Sequence, residues 1–263
     1  MNAHVPRTPA ELAVLAQHHA PVAPALLGHL LWCLHTPGAG VVAVHGEHGH
    51  GLATWLWQGE HVQVMRWLVQ PKGEVAVLWA ALWKALCAAS GADAEQTVLV
   101  QGALVDMPHW ASLGFVEQVA LEHWAPDPEG GFEEAERDEV LPLDPAHTLA
   151  LLHLDRNATG EHRATLLLEH AFAARVYEAG GRVRGILLPV LGNGLILADR
   201  AVAGLELQRW LLPVVPRIVV PEGNAAAAEQ LHAWGYTVVN TELRLVRGTK
   251  PRFRPELVYA WPW

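Results

Sequence analysis

The sequence predicts a mixed α/β protein built as two like domains in tandem. Three observations carry this expectation. The chain has 263 residues, and at roughly 150 residues per domain that length suits two domains or one large one. Its charge is unevenly placed. Residues 1–130 hold 11 acids against 4 bases (net −7), residues 131–139 hold 5 against 1 (net −4), and residues 140–263 hold 11 against 13 (net +2). Third, landmarks in the first half recur in the same order in the second. The acidic run follows Pro126-Asp127-Pro128-Glu129-Gly130-Gly131, a turn-forming composition that strands and helices avoid. The expected division is a domain over 1–128, an acidic linker over 129–139 and a domain over 140–263.

Each half opens alike. Thr8-Pro9-Ala10-Glu11 reads as an N-cap, a proline at the first helical position and a capping-box glutamate. Asp144-Pro145-Ala146-His147 repeats the cap and the proline. Copy one then predicts strands over 40–45, 53–57 and 62–69 with glycine turns between them, an antiparallel meander, followed by a helix over 74–88. Copy two predicts a helix over 161–175, strands over 183–191 and 195–198, and a helix over 202–211. Each half also closes alike. Val98-Leu99-Val100 leads to a helix ending in Gly114-Phe115, and Ile218-Val219-Val220 leads to one ending in Gly235-Tyr236. A helix closing on Gly-aromatic fits a left-handed cap that feeds another strand.

Composition narrows the functional classes. With 51% hydrophobic and 17% charged residues, intrinsic disorder is excluded. The longest apolar run, residues 75–89, contains Lys84 and falls short of the ~20 residues that cross a bilayer. The first residues show no basic segment followed by an apolar core, so a cytoplasmic, non-membrane protein is expected. Cys33 and Cys87 form no CxxC, which argues against a disulfide framework or a thiolate zinc site. The acidic first half disfavours nucleic acid, which binds through clustered Lys and Arg. His45-Gly46-Glu47-His48-Gly49-His50 offers imidazoles to a metal, but its glycines suit a hairpin turn better, and no metal is expected.

Further landmarks are Leu154-Asp155 through Gly160 and Arg163, then Pro221-Glu222-Gly223-Asn224 with Trp234-Gly235-Tyr236, and Arg244 to Gly248. On these residues the chain resembles the GNAT N-acetyltransferase superfamily in a tandem, two-domain arrangement. The resemblance implies acetyl-CoA as co-substrate and a small-molecule or peptide primary amine as acceptor. It also implies that pantetheine lies along the edge of the strand at Trp67, Leu68 and Val69. The family's phosphate loop, V-x-P followed by Q/R-x-x-G-x-G/A, is matched in copy one by Val69-Gln70-Pro71 and Gly73. The loop is short, and Val75 stands in place of the last glycine. Leu68, Val69, Gln70, Lys72, Gly73, Glu74 and Val75 are thereby the expected cofactor contacts. Copy two has Glu206 at the final glycine position, which disfavours a diphosphate there.

The family places an acid on its fourth strand and a tyrosine four residues before the Gly-aromatic pair. Here that strand carries no carboxylate, Glu60 at its start being nearest. Trp110 and Leu231 replace the tyrosine. Glu60 and His109, beside Trp110, are the catalytic candidates. The alternative reading is a GNAT-fold binding or regulatory protein that has lost its phosphate loop and acid–base groups. The oligomeric state is not legible.

Overall fold

The computed structural model describes residues 1–17, 23–92, 96–127 and 139–262. Nearly all of the expected acidic linker, and the His18-His19 pair, lie outside the described residues. Chain order begins with β1 (Asn2–His4), α1 (Pro9–Gln17), α2 (Ala23–His35), β2 (Ala39–Gly46), β3 (Gly49–Gln58), β4 (His61–Pro71), α3 (Val75–Ser90), β5 (Thr97–Ala103), α4 (Met107–Ser112) and β6 (Val116–Pro126). It continues with β7 (Val140–Pro142), α5 (Thr148–Thr159), α6 (Ala164–Glu169), β8 (Arg175–Ala179), β9 (Arg182–Leu188), β10 (Leu195–Ala198), α7 (Ala201–Leu211), β11 (Ile218–Pro221), α8 (Ala225–Ala233), β12 (Tyr236–Arg247) and β13 (Val258–Ala260). No helix among these is long and apolar enough to cross a membrane.

The chain forms two compact units. One comprises residues 1–101, 105–116 and 245–250; the other comprises 102–104, 117–244 and 251–263. In the first unit the strand order is β1-β2-β3-β4-β5. β2, β3 and β4 are the antiparallel meander that the glycine turns predict, and α3 crosses over to bring β5 parallel to β4. Alternation divides the side chains of β3 between two faces. Leu52 packs with Leu12, Leu26, Leu30 and Cys33 of α1 and α2. On the other face Trp57 Nε1 donates to the Ser90 carbonyl at the end of α3, 2.9 Å away. Glu11 accepts from the Thr8 N–H at 2.9 Å, so the capping box forms.

In the second unit β7, β8, β9, β10 and β13 make one sheet segment in the order β13-β10-β9-β8-β7. β6 also belongs to this unit and pairs antiparallel with β11. Asp144 caps as expected, its carboxylate accepting from the Ala146 N–H at 2.8 Å. Gly114 and Gly235 both adopt positive φ, 85° and 75°, as the Gly-aromatic pattern requires. One expected element is corrected. Residues 161–175 do not form one helix: α6 covers only Ala164–Glu169, a short 3-10 turn follows, and Arg175 already begins β8. Glu161 and Arg163 are drawn into buried ion pairs before the helix starts, which sets its beginning. The His170 ring, 2.8 Å from the Leu166 carbonyl, competes with helix propagation at its end.

Candidate functional site

In the first unit β4 and β5 pair over only four positions, His61↔Thr97 to Val64↔Val100. β4 then runs on to Pro71, paired only with β3. The cause is local. The β3–β4 register slips between Thr54 and Trp55, which pair with Arg66 and Val64 and leave Met65 as a bulge. A bulge bends and twists its strand, and here it turns β4 away from β5. Past Val64, one edge of β4 therefore presents its backbone N–H and C=O groups to the opening. Such an edge accepts an extended ligand.

A tryptophan cluster packs against this stretch of β4. The Trp67 ring centroid lies 5.2 Å from that of Trp79 on α3 and 4.9 Å from that of Trp110 on α4. Trp79 and Trp110 meet edge-on at 4.7 Å. Trp110 also abuts Phe115 at 5.0 Å and is 1% exposed. Indole N–H groups normally find a partner when buried. The Trp67 and Trp110 Nε1 atoms are buried and have none. Two donors beside an unpaired strand edge suit a ligand that brings carbonyl oxygens.

At the far end of this edge lies the turn into α3. His48, in the β2–β3 turn, closes it. The His48 carbonyl accepts from the Lys72 N–H at 2.9 Å and the Gly73 N–H at 3.3 Å. Its Nδ1 accepts from the Glu74 N–H at 3.3 Å. His48 Nε2 therefore carries the ring proton and lies 3.5 Å from Glu47. Gly49 makes the approach possible. Its φ is +123°, and a Cβ there would lie 2.2 Å from the Gln70 carbonyl oxygen. A side chain on Gly73 would likewise press on His48 Nδ1 at 3.0 Å. Glu74 occupies the N-cap of α3 without a side-chain cap hydrogen bond. The first-turn N–H groups of α3 remain helix-end donors.

The structure thus places the expected cofactor contacts in two groups. Leu68, Val69 and Gln70 lie on β4, paired with Leu52, Gly51 and His50. Lys72, Gly73 and Glu74 form the exposed turn, and Val75 begins α3. His109 joins the tryptophan cluster, its ring stacked on Trp79 at 5.0 Å. Glu60 is not brought to it. It is exposed in the β3–β4 turn, and four residues of extended strand put it about 13 Å from Val64, where the strands part.

The opposite face of the bulge holds a cluster that the sequence pattern did not flag. His29 Nε2 lies 2.8 Å from Thr54 Oγ1 and 3.6 Å from Cys33 Sγ. Their spacing of four on α2 was the available signal, but it has no metal-ligand or triad partner nearby in sequence. Burial, with the Arg66 guanidinium assisting, pushes the His29 pKa down to about 4. Burial pushes the Cys33 thiol up to about 12. The neutral ring has a cost at low pH. Between about 6.5 and 4 the unfolded chain binds a proton that the folded chain does not, so stability falls as pH falls through that window. Urea unfolding should lose up to about 3 kcal/mol between pH 7 and 4 from this group, and His29→Phe should flatten that part of the profile. An equal slope in the variant would show that His29 is not responsible.

In the second unit β10, α7 and β11 repeat the order β4, α3, β5. Asp155 and Arg163 bond to each other in its buried interior, as Glu161 and Arg244 do. Burial holds the Asp155 carboxyl above its ordinary value against the pull of Arg163.

No protein-family model matches the sequence, and no curated protein does. Solved structures do match. The chain is similar to a provisionally assigned acetyltransferase from Pyrococcus horikoshii at 15% identity and TM-score 0.71, covering 98% of this chain and 93% of that one. It is similar to a GCN5-related N-acetyltransferase from Sphaerobacter thermophilus at 16% identity and TM-score 0.61, covering 95% and 97%. A tandem GNAT protein from the clavulanic acid biosynthesis pathway matches at 14% identity and TM-score 0.55, covering 93% and 97%. The chain has the GNAT fold.

Proposed function

We propose that this GNAT-fold chain is an N-acetyltransferase whose first unit takes acetyl-CoA and whose acceptor is a primary amine. The observation that carries the reading is the bared edge of β4 past Val64, with the Trp67 and Trp110 indole N–H groups buried and unpartnered beside it. The acyl-pantetheine arm fits this arrangement. The backbone at 67–69 holds it by strand addition, and the two indoles donate to its carbonyl oxygens. Bound acetyl-CoA supplies an acetyl thioester. His109, next to Trp110 and stacked on Trp79, is the side chain assigned as acid for the departing thiolate. We assign no step to Glu60, because the strand keeps it away from the opening.

The diphosphate end fits less well. Three N–H groups of the short loop are held by His48, and the Glu74 carboxylate at the start of α3 repels an anion that the helix end would otherwise attract. This favours a second reading, a GNAT-fold binding or regulatory protein without transfer. Thermal unfolding with acetyl-CoA tests the binding that the first reading requires, and thiol release with an amine present then tests transfer. At 100 times its dissociation constant a ligand adds about 2.7 kcal/mol, which raises Tm by about 5–10 °C for a chain of this size. His48→Gly releases the Glu74 N–H and should tighten binding about tenfold, the equivalent of one hydrogen bond to a charged group. No shift with either protein would leave the second reading standing.

A further inference from the structure

The second unit contains the same strand–helix–strand arrangement, but β10 and β11 are not neighbours: β13 lies between them. It pairs antiparallel with β10, Ile196 opposite Ala260 and Leu197 opposite Val258. On its other side the Trp261 N–H donates to the Val219 carbonyl of β11 at 2.7 Å. Three carbonyls along the inserted segment meet a dedicated donor. Asn224 Nδ2 donates to the Val258 carbonyl at 2.9 Å, while its Oδ1 caps α8 at Ala227. Gln208 Nε2 donates to the Tyr259 carbonyl at 2.7 Å, with Gln230 Nε2 held on Gln208 Oε1 at 2.9 Å. The Asn193 N–H donates to the Pro262 carbonyl at 2.8 Å.

Side chains complete the fit. The Tyr259 ring lies where Gly204 leaves room, since a Cβ on Gly204 would come within 2.3 Å of it. The Trp261 ring is held by two guanidinium groups, Arg163 at 4.7 Å and Arg244 at 5.0 Å. These are the buried cations paired with Asp155 and Glu161.

We propose that the gap between β10 and β11 is a strand-addition site for an extended apolar peptide, and that residues 258–262 of this chain are its resident ligand. The consequence rests on the reading of the first unit as the thioester site: the second gap takes no acyl thioester. The segment is held in cis at an effective concentration in the millimolar range, so a free peptide of the same sequence does not displace it. Weakening its anchor changes that.

Amide hydrogen exchange on the full chain tests this. Protection over 258–261 should be the same with and without 1 mM acetyl-CoA. Trp261→Ala should speed exchange over 258–260 at least tenfold and let a fluorescein-labelled peptide of residues 256–262 bind, which wild type does not. Gln208→Leu removes the hydrogen bonds to Tyr259 and from Gln230 while leaving Trp261 in place, and should act in the same direction, which keeps the test open if Trp261→Ala fails to fold. Loss of protection over 258–261 under acetyl-CoA overturns the proposal. So does failure of the labelled peptide to bind both variants. Neither outcome depends on whether the first unit binds acetyl-CoA, which the thermal shift and the His48 variant decide.

Discussion

Replacing Arg244 by Ala should lower the free energy of unfolding by about 3–5 kcal/mol, the cost of taking one partner from a buried ion pair. Arg244 is 2% exposed and bonds to Glu161, itself 1% exposed. Its Nε donates to Gln118 Oε1 at 2.8 Å, and its plane packs on Phe253 at 5.1 Å and on Trp261. Removing it takes from Glu161 the cation bonded to it and from Trp261 one support. Lysine should not rescue, because it lacks the planar fork that bonds and stacks at once. Combining Glu161→Gln with Arg244→Met should recover most of the loss, since removing both charges ends the desolvation cost. Chemical denaturation of the three variants measures this. Equal destabilisation by the single and double variants would show that packing, not charge, sets the effect.

In a His109→Ala background, Trp110→Tyr should raise the acetyl-transfer rate by about 10–100-fold, its hydroxyl taking over as the acid for the departing sulfur. A positioned proton donor is worth 10²–10⁴, and the smaller ring leaves a gap that loosens its placement. The Trp110 indole N–H, unpartnered in the structure, can donate a hydrogen bond to a ligand but gives up no proton at ordinary pH. The substitution should also add a fall in kcat as pH approaches 10, where tyrosine ionises. An unchanged rate and an unchanged pH profile would mean that Trp110 does not face the reacting atoms.

Much of the fold was legible because local chemistry and tertiary structure agree. The caps at Thr8 and Asp144 form, as do the left-handed glycines at 114 and 235. The meander in the first half and the order β10–α7 in the second follow from glycine turns and apolar runs. The helix over 161–175 failed because its start is set by partners far along the chain: Glu161 bonds to Arg244, 83 residues away. The site was legible only in part. Val69-Gln70-Pro71 with Gly73 marks the end of β4, but nothing in that stretch shows that His48, from another turn, covers its N–H groups. The bulge at Met65 and the insertion of β13 depend on register and on pairing between distant segments, which composition and periodicity do not encode. Trp67, Trp79 and Trp110 are far apart in sequence, and only the crossover through α3 gathers them.

The central claim is that the β4 edge past Val64 holds the acyl-pantetheine arm. Amide exchange over residues 65–71 of the full chain, followed as acetyl-CoA is added, tests it most directly. The amides at 67–69 should slow at least tenfold at saturation, and His48→Gly should reach this protection at a lower ligand concentration. Unchanged exchange over 65–71, in wild type and in His48→Gly alike, would contradict it.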